Sequence, residues 1–325
     1  MSGEVAATKG LILAHKAKLR PRLARAQGRR AMVSCDNIRE RENLEESVYL
    51  HGMVPANLIG PYDAATRQVA ANILGRDVEV IDMTTGFGEG VPMWPYAVED
   101  VREQRVRYHA KDRVKTSIIK NHNMHFATHC DTPRHVEEDY PTLDEIPVER
   151  FMGKGVVLDI PKNKWGVVTP EDLEKAEPSI EQDDIVIVHT GWHRFWGDNL
   201  KYYAYAPGLY KEAAEWFVKK KVRAVGEDTQ AVDHPLGTRI AQPPPLLPWI
   251  LDQYRKETGH EVYQDFPYWE PTTRILTTNG IPNWENVGGD IDKALGKRCT
   301  IMGVPVKWLG GDGSPVRLLA LVEKK

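Results

Sequence analysis

The chain has 325 residues, enough to bury a sizeable core in one domain or in one domain with an appendage, and its 43 Lys and Arg against 46 Asp and Glu leave a formal net charge of −3. That balance argues against nucleic acid or a membrane surface as a partner, and no apolar run reaches transmembrane length. Cys35, Cys130 and Cys299 are odd in number, widely spread and free of any CxxC pair, which argues against a disulfide framework and for a reducing, cytoplasmic setting.

In chain order, residues 1–30 carry Lys9, Lys16, Lys18, Arg20, Arg22, Arg25, Arg29 and Arg30 against one acid, Glu4. The apolar stretch Leu11-Ile12-Leu13-Ala14 is too short for a secretory signal, so this basic segment reads as an arm or helix docked on its own core or on a neighbouring subunit. Residues 1–75 as a whole are expected to be an N-terminal extension, mostly helices and loops, broken at Pro21, Pro55 and Pro61. Within it Asp63 caps a short helix that runs to Leu74 and closes at Gly75. Residues 76–325 are expected to form the main domain, and strands begin at Val78 with the alternating Val78-Glu79-Val80-Ile81-Asp82.

Lys115-Thr116-Ser117-Ile118-Ile119 is expected to lead directly into a histidine-rich run. Residues 155–160 and 185–189 are near-continuous apolar runs, the pattern of strands buried on both faces. After Pro207-Gly208 comes an amphipathic helix with Leu209, Ala213, Trp216 and Phe217 on its buried face, then a short strand over 222–226. This β-α-β order predicts a partly parallel sheet with helices against it. Residues 246–256 read as a helix. Residues 297–308 and 316–322 read as a hairpin whose Gly310, Gly311 and Gly313 make a turn; no Lys-Ser/Thr and no helix follows them, so a turn is favoured over a nucleotide loop.

The chemistry concentrates in His125-Phe126-Ala127-Thr128-His129-Cys130-Asp131-Thr132-Pro133-Arg134-His135. Two imidazoles and a carboxylate at 125, 129 and 131 are the ligand set of a catalytic zinc or manganese ion, and His135 behind them is a natural general base for water on that ion. On a helix, position i+6 points away from i and i+4, so the trio does not converge there. On an extended chain all four even offsets share a face, but a straight strand holds His125 and His129 roughly 13 Å apart. The chain must therefore bend at Ala127-Thr128, and Pro133 excludes both a regular helix and a central strand. A bent strand end with one metal at its tip is the expectation. Cys130, on the opposite face, is packing.

This run is similar to the HxGTHxDxPxH signature of the cyclase family, which includes bacterial kynurenine formamidases and isatin hydrolases. It matches at His125, Thr128, His129, Asp131, Pro133 and His135. Further stretches resemble the family in order: Val91-Pro92-Met93-Trp94-Pro95, His189-Thr190-Gly191-Trp192, Val225-Gly226-Glu227-Asp228-Thr229, Glu285-Asn286 and Gly311-Asp312-Gly313-Ser314-Pro315. The resemblance implies an α/β swivelling β/β/α domain, a divalent metal, Zn²⁺ or Mn²⁺, a homodimer or homotetramer, and hydrolysis of an amide, cyclic amide or ester of a small molecule. It assigns His125, His129 and Asp131 as ligands, His135 as the catalytic histidine and Glu285 as a late carboxylate ligand.

Two departures stand out. The signature glycine is Ala127, which suits a tight bend unless the backbone needs positive φ. Thr272-Thr273 stand where two-metal members place a histidine, which predicts a mononuclear site. Trp94 and Trp192 are candidate walls of an aromatic pocket, with core packing as the competing role, and Gln230 and His234 are further pocket candidates. A lyase, dehydratase or true cyclase using the same site is the alternative reaction, and a non-catalytic binding protein the third reading.

Overall fold

The computed structural model describes residues 71–73, 75–87, 91–94, 104–109, 114–119 and 123–324. The basic segment, the proposed Asp63 cap and most of the expected extension lie outside them. The described strands are β1 (Ala71–Ile73), β2 (Arg76–Asp82), β3 (Gln104–His109), β4 (Val114–Ile119), β5 (His129–Asp131), β6 (Met152–Asp159), β7 (Val167–Val168), β8 (Ile185–His189), β9 (Gly208–Leu209), β10 (Ala224–Glu227), β11 (Asn283–Glu285), β12 (Lys297–Met302), β13 (Gly313–Pro315) and β14 (Leu319–Glu323). Ten of them make one curled, mixed sheet in the order β1-β2-β14-β12-β6-β8-β10-β11-β5-β13.

The middle of that sheet, β6-β8-β10-β11, is parallel, and the strands on either flank are antiparallel. Period-two alternation splits the apolar runs between two cores. Val157, Ile185, Ile187 and Ala224 pack with Trp284 on one face. Val156, Leu158, Val186, Val188 and Val225 pack on the other against Phe217 and Leu276. Those last two come from helices α4 (Lys211–Lys220) and α7 (Pro271–Thr278), which follow α1 (Pro133–Val136), α2 (Pro170–Lys175), α3 (Asn199–Ala204) and, between them, α5 (Trp249–Thr258) and α6 (Val262–Asp265). The buried face of α4 is made by Ala213, Ala214 and Phe217, while Leu209 lies on β9 before the helix and Trp216 is only partly buried. Both faces of the parallel strands are therefore covered, as their unbroken apolar runs require. No helix among the described residues is long and apolar enough to cross a membrane.

Three expectations are corrected. The helix drawn to Leu74 is replaced at its end by β1, which pairs antiparallel with β2; Gly75, at φ 78°, makes the hairpin turn rather than a helix cap. The segment over 115–119 does not feed the histidine run as one strand, because β4 pairs with β3 in a separate two-stranded ribbon. At the C-terminus β12 and β14 do pair, but the chain between them is no simple turn. It leaves the sheet, lays β13 beside β5, and returns through Leu318, whose carbonyl accepts from the N–H of Met83 at 2.9 Å. That detour curls the sheet and carries Asp312 and Gly313 to the histidine run.

Candidate metal centre

β5 is only three residues long, yet it lies between β11 and β13, and this register assembles the site. His129 stands opposite Glu285, and Asp131 opposite Asn283. Residues two apart share a face, so all four side chains converge while Cys130 turns into the apolar core. On the other flank Gly313 stands opposite Asp131. A Cβ there would come within 2.6 Å of Cε1 of His125, so glycine is needed for the His125 ring to enter.

The bend foreseen before His129 turns at Ala127, which is buried at φ 52°. The positive φ that favours glycine is thus present, and alanine tolerates it at a cost of roughly 1–2 kcal/mol. Ala127→Val is expected to destabilise the fold by about 2–4 kcal/mol, through a β-branched residue at positive φ and overpacking. Ala127→Gly should stay within about 1 kcal/mol, since relief of strain offsets the lost packing and the chain entropy. Denaturant titration reads both; equal effects of the two substitutions contradict this account of the bend.

The ring of His129 is fully buried, and its Nδ1 lies 2.9 Å from the carbonyl of Ala127. A carbonyl only accepts, so Nδ1 carries the proton and Nε2 is left as the free donor of an electron pair. That Nε2 has no hydrogen-bond partner. It lies 3.4 Å from Oδ1 of Asp131 and 3.4 Å from Oε2 of Glu285. Such separations are long for hydrogen bonds, but they match the edge, about 3.3 Å, of a tetrahedron with bonds of roughly 2.0–2.1 Å to a zinc-class ion.

Asn283 sets both carboxylates, donating to Oδ2 of Asp131 at 3.0 Å and to Oε1 of Glu285 at 3.3 Å. The N–H of Val232 also donates to that Oε1, at 3.1 Å. Each acid therefore turns its other oxygen to the histidines. His125 Nδ1 closes the group at 2.7 Å from Oδ1 of Asp131. His125, His129 and Asp131 offer ligand atoms that all lie within 4.8 Å of one another. The donor set thus fits a divalent ion of the zinc or manganese class.

Electrostatics point the same way. Burial alone would lower His129, but the carboxylates of Asp131 and Glu285 outweigh it and push it up to about 10. His125 is raised against its burial by Asp131 and Asp312. Burial works to raise Asp131, yet the two imidazoles hold it well below the ordinary carboxylate range. Glu285 is raised by burial and by the neighbouring Asp131 charge. Without an ion, the raised His129 value stabilises the fold fully below its ordinary 6.5, and that contribution is lost as pH climbs through about 10.

An entering metal needs neutral imidazole and displaces those protons. Affinity is therefore expected to strengthen with rising pH, by about tenfold per unit for each displaced proton. Calorimetry in buffers of different ionisation enthalpy should read net proton release on binding. Affinity that is flat with pH would contradict the arrangement.

His135 sits on α1, whose N1 position is Pro133. Its ring lies 4.0 Å from that of His125, and its Nδ1 is 3.8 Å from Oδ2 of Asp312. The same Asp312 oxygen lies 2.9 Å from Nε2 of His125. Asp312 thus spans the two rings, and these histidines hold its carboxyl well below the usual range. Asn123 accepts from the His125 N–H at 2.8 Å.

A cavity of about 470 Å³ opens on this cluster, lined by His125, Asp131, His135 and Glu285 together with Trp94, Asn123, Asp233, Arg239, Trp269 and Glu270. The sequence reading overlooked Asn123, Asp312, Asn283, Arg239, Trp269 and Glu270. Only Asp312 stood in a quoted motif, where it passed as part of a turn.

Trp94 lines the cavity as expected, but three other pocket candidates do not. Trp192 is buried in an aromatic core, its indole N–H donating to the carbonyl of Tyr202 at 3.1 Å. His234 is buried against Phe266, rings 4.2 Å apart, with burial lowering its pKa to about 3. Gln230 is fully buried. Trp192 and His234 follow the aromatic interior rather than the cavity wall, and the buried amide of Gln230 has no hydrogen-bond partner among the described residues. Thr272 and Thr273 donate their backbone N–H groups to Asp233 at 2.6 and 2.9 Å. His260 is exposed beside Asp265, so neither it nor His234 supplies a ligand here.

Residues 81–234 match the family model described as a putative cyclase. The chain is 23% identical over 288 residues to the isatin hydrolase of Roseibium aggregatum, covering 80% of this chain and 98% of that protein. It is 23% identical over 247 residues to the kynurenine formamidase of Bacillus cytotoxicus, covering 74% and 96%. Among solved structures it resembles isatin hydrolase A from Labrenzia aggregata bound to benzyl benzoate, with a TM-score of 0.59, 23% identity and coverage of 76% and 94%.

Proposed function

The chain belongs to the cyclase family, and from that premise we propose that it is a metal-dependent hydrolase of a small carbonyl compound, cleaving an amide, cyclic amide or ester bond, with C–N bonds preferred. The observation that carries this reading is the buried, partnerless Nε2 of His129 facing two carboxylate oxygens beside an open cavity. His125, His129, Asp131 and Glu285 would hold one Zn²⁺ or Mn²⁺. When bound, such an ion brings the pKa of water towards neutrality and polarises a carbonyl.

The protein's own groups do the rest. His135, at the cavity wall, takes the proton of the attacking water and returns it to the leaving nitrogen or oxygen. Asp312 orients His125 and His135 from behind, the role that outer carboxylates play towards ligating imidazoles. Trp94 and Trp269 favour a planar substrate, the class to which isatin belongs. A cytoplasmic setting accords with Cys130 and Cys299, which are buried and unpaired. Exposed Val306, Trp308 and Leu309 favour a homodimer or homotetramer through that loop.

The test is a panel of N-formyl anilines, cyclic imides, isatin and lactones, assayed with metal-depleted and with Zn²⁺- or Mn²⁺-restored protein. Turnover of at least one class, present only with metal, is expected. Silence across the panel, or equal rates without metal, would sink the reading.

A further inference from the structure

A second cluster of imidazoles and carboxylates lies at the ends of β8 and β10, apart from the cavity. His189, the last residue of β8, is 2% exposed, and its Nδ1 lies 2.9 Å from Oδ1 of Asp159 at the end of β6. That carboxylate accepts a hydrogen bond from Nδ1–H, so Nε2 is the lone-pair nitrogen. It is buried and has no hydrogen-bond partner. It faces Oδ2 of Asp228 at 3.9 Å and Oδ1 of Asp292 at 3.6 Å. His193, one turn on, stands between the same two acids, with Nδ1 at 3.1 Å from Oδ2 of Asp228 and Nε2 at 3.3 Å from Oδ2 of Asp292.

Asp228 is fully buried and aimed, its Oδ1 held by the N–H and hydroxyl of Thr190 and its Oδ2 by the N–H of Gly191. The ligand atoms of His189, His193 and Asp228 all lie within 4.8 Å of one another. Separations of 3.6 and 3.9 Å are too long for hydrogen bonds, but they are near the spacing of ligand atoms that share one ion.

We infer that His189, His193, Asp228 and Asp292 form a second, structural site for a zinc-class divalent ion, distinct from the cavity centre. Its chemistry follows from the donors. Two imidazoles with two carboxylates suit Zn²⁺, Co²⁺ or Ni²⁺ better than Mg²⁺ or Ca²⁺. A carboxylate behind a buried imidazole, as Asp159 stands behind His189, is the usual support of a ligating histidine. Four protein ligands leave no open position, the mark of a structural rather than catalytic site. The ion would pin the segment after β8 to the turn that carries Asp292. Two groups compete with an ion for these acids: the backbone N–H of His193, which donates to Oδ2 of Asp228 at 3.3 Å, and Arg194, whose guanidinium reaches Asp292 at 2.7 Å. The side chains of Arg194 and Asp292 are both more than half exposed, so that ion pair contributes little.

The experiment is a Zn²⁺ titration of the metal-depleted full chain by calorimetry, repeated on His193→Ala and Asp292→Asn, with circular dichroism confirming that each variant is folded. Asp292 is exposed enough that its amide leaves the fold intact. Each variant is expected to take up one Zn²⁺ fewer than the parent, or to bind it more than about 100-fold more weakly, beyond what loss of an outer partner costs. In His129→Ala, which disables the cavity centre, Zn²⁺ should still bind and should raise the melting midpoint. Identical Zn²⁺ uptake and affinity in parent, His193→Ala and Asp292→Asn would overturn the site. An ion lost only in His129→Ala would assign all binding to the cavity.

Discussion

His129→Ala is expected to lose the cavity metal and the hydrolytic activity together. Its ring is the pivot of the cluster, an imidazole whose Nε2 lies 3.4 Å from a carboxylate oxygen of both Asp131 and Glu285. Its free Nε2 has no other use in the fold. Removing it leaves two buried carboxylates facing each other with one imidazole fewer between them, an arrangement costly with or without an ion. Metal affinity at this centre should fall by more than the roughly 10–100-fold that outer partners cost. Total bound metal should fall by one ion per chain, and turnover should drop to background. A variant that holds the same metal as the parent, or turns over at the parent rate, removes His129 from the centre.

His135→Ala separates the base from the ligands. The ring of His135 is 35% exposed, and its neighbours are Asp312 and the His125 ring rather than Asp131 or Glu285, so its loss should leave metal content and melting midpoint close to the parent's. The rate should fall by about 10²–10⁴-fold, the usual contribution of a general acid–base group, and the loss should appear in kcat more than in KM. Loss of metal in this variant would make His135 a ligand. An unchanged rate would take it out of the reaction.

What the sequence disclosed of this site, and what it did not, follows from how far along the chain each partner lies. His125, His129, Asp131 and His135 fall within eleven residues, and even spacing rightly put His129 and Asp131 on one face of a strand, but His125 lies before that strand and His135 on the helix begun by Pro133. The required bend was also legible, though not that Ala127 would hold it at positive φ. Glu285 became visible only through family resemblance, because the β11–β5 register that sets it opposite His129 joins residues more than 150 positions apart. Asn283 and Asp312 carry no motif of their own. Asn283 matters through the same register, and Asp312 through an excursion of the C-terminal chain that glycine-rich sequence disguised as a turn.

Trp192, Gln230 and His234 were misplaced for a related reason. Strand-end polar and aromatic residues look alike in sequence whether they face a cavity or an aromatic core, and here the ring of Phe266 and the carbonyl of Tyr202 decided for the core at His234 and Trp192. The parallel strands β6, β8 and β10 were read with little error, since near-continuous apolar runs admit few other structures, whereas β11, Asn283-Trp284-Glu285, has no such run and was not foreseen.

The central claim is that this chain adds water across a carbonyl bond with the help of an ion held by His125, His129, Asp131 and Glu285. Turnover in oxygen-18 water by metal-restored protein, followed by mass spectrometry of the product, tests it most directly. The account predicts one labelled oxygen in the product acid per turnover, and no labelled product from metal-depleted protein or from His129→Ala. Product formed without label would show a lyase, dehydratase or cyclase reaction instead, and label incorporated at the same rate without metal would contradict the centre itself.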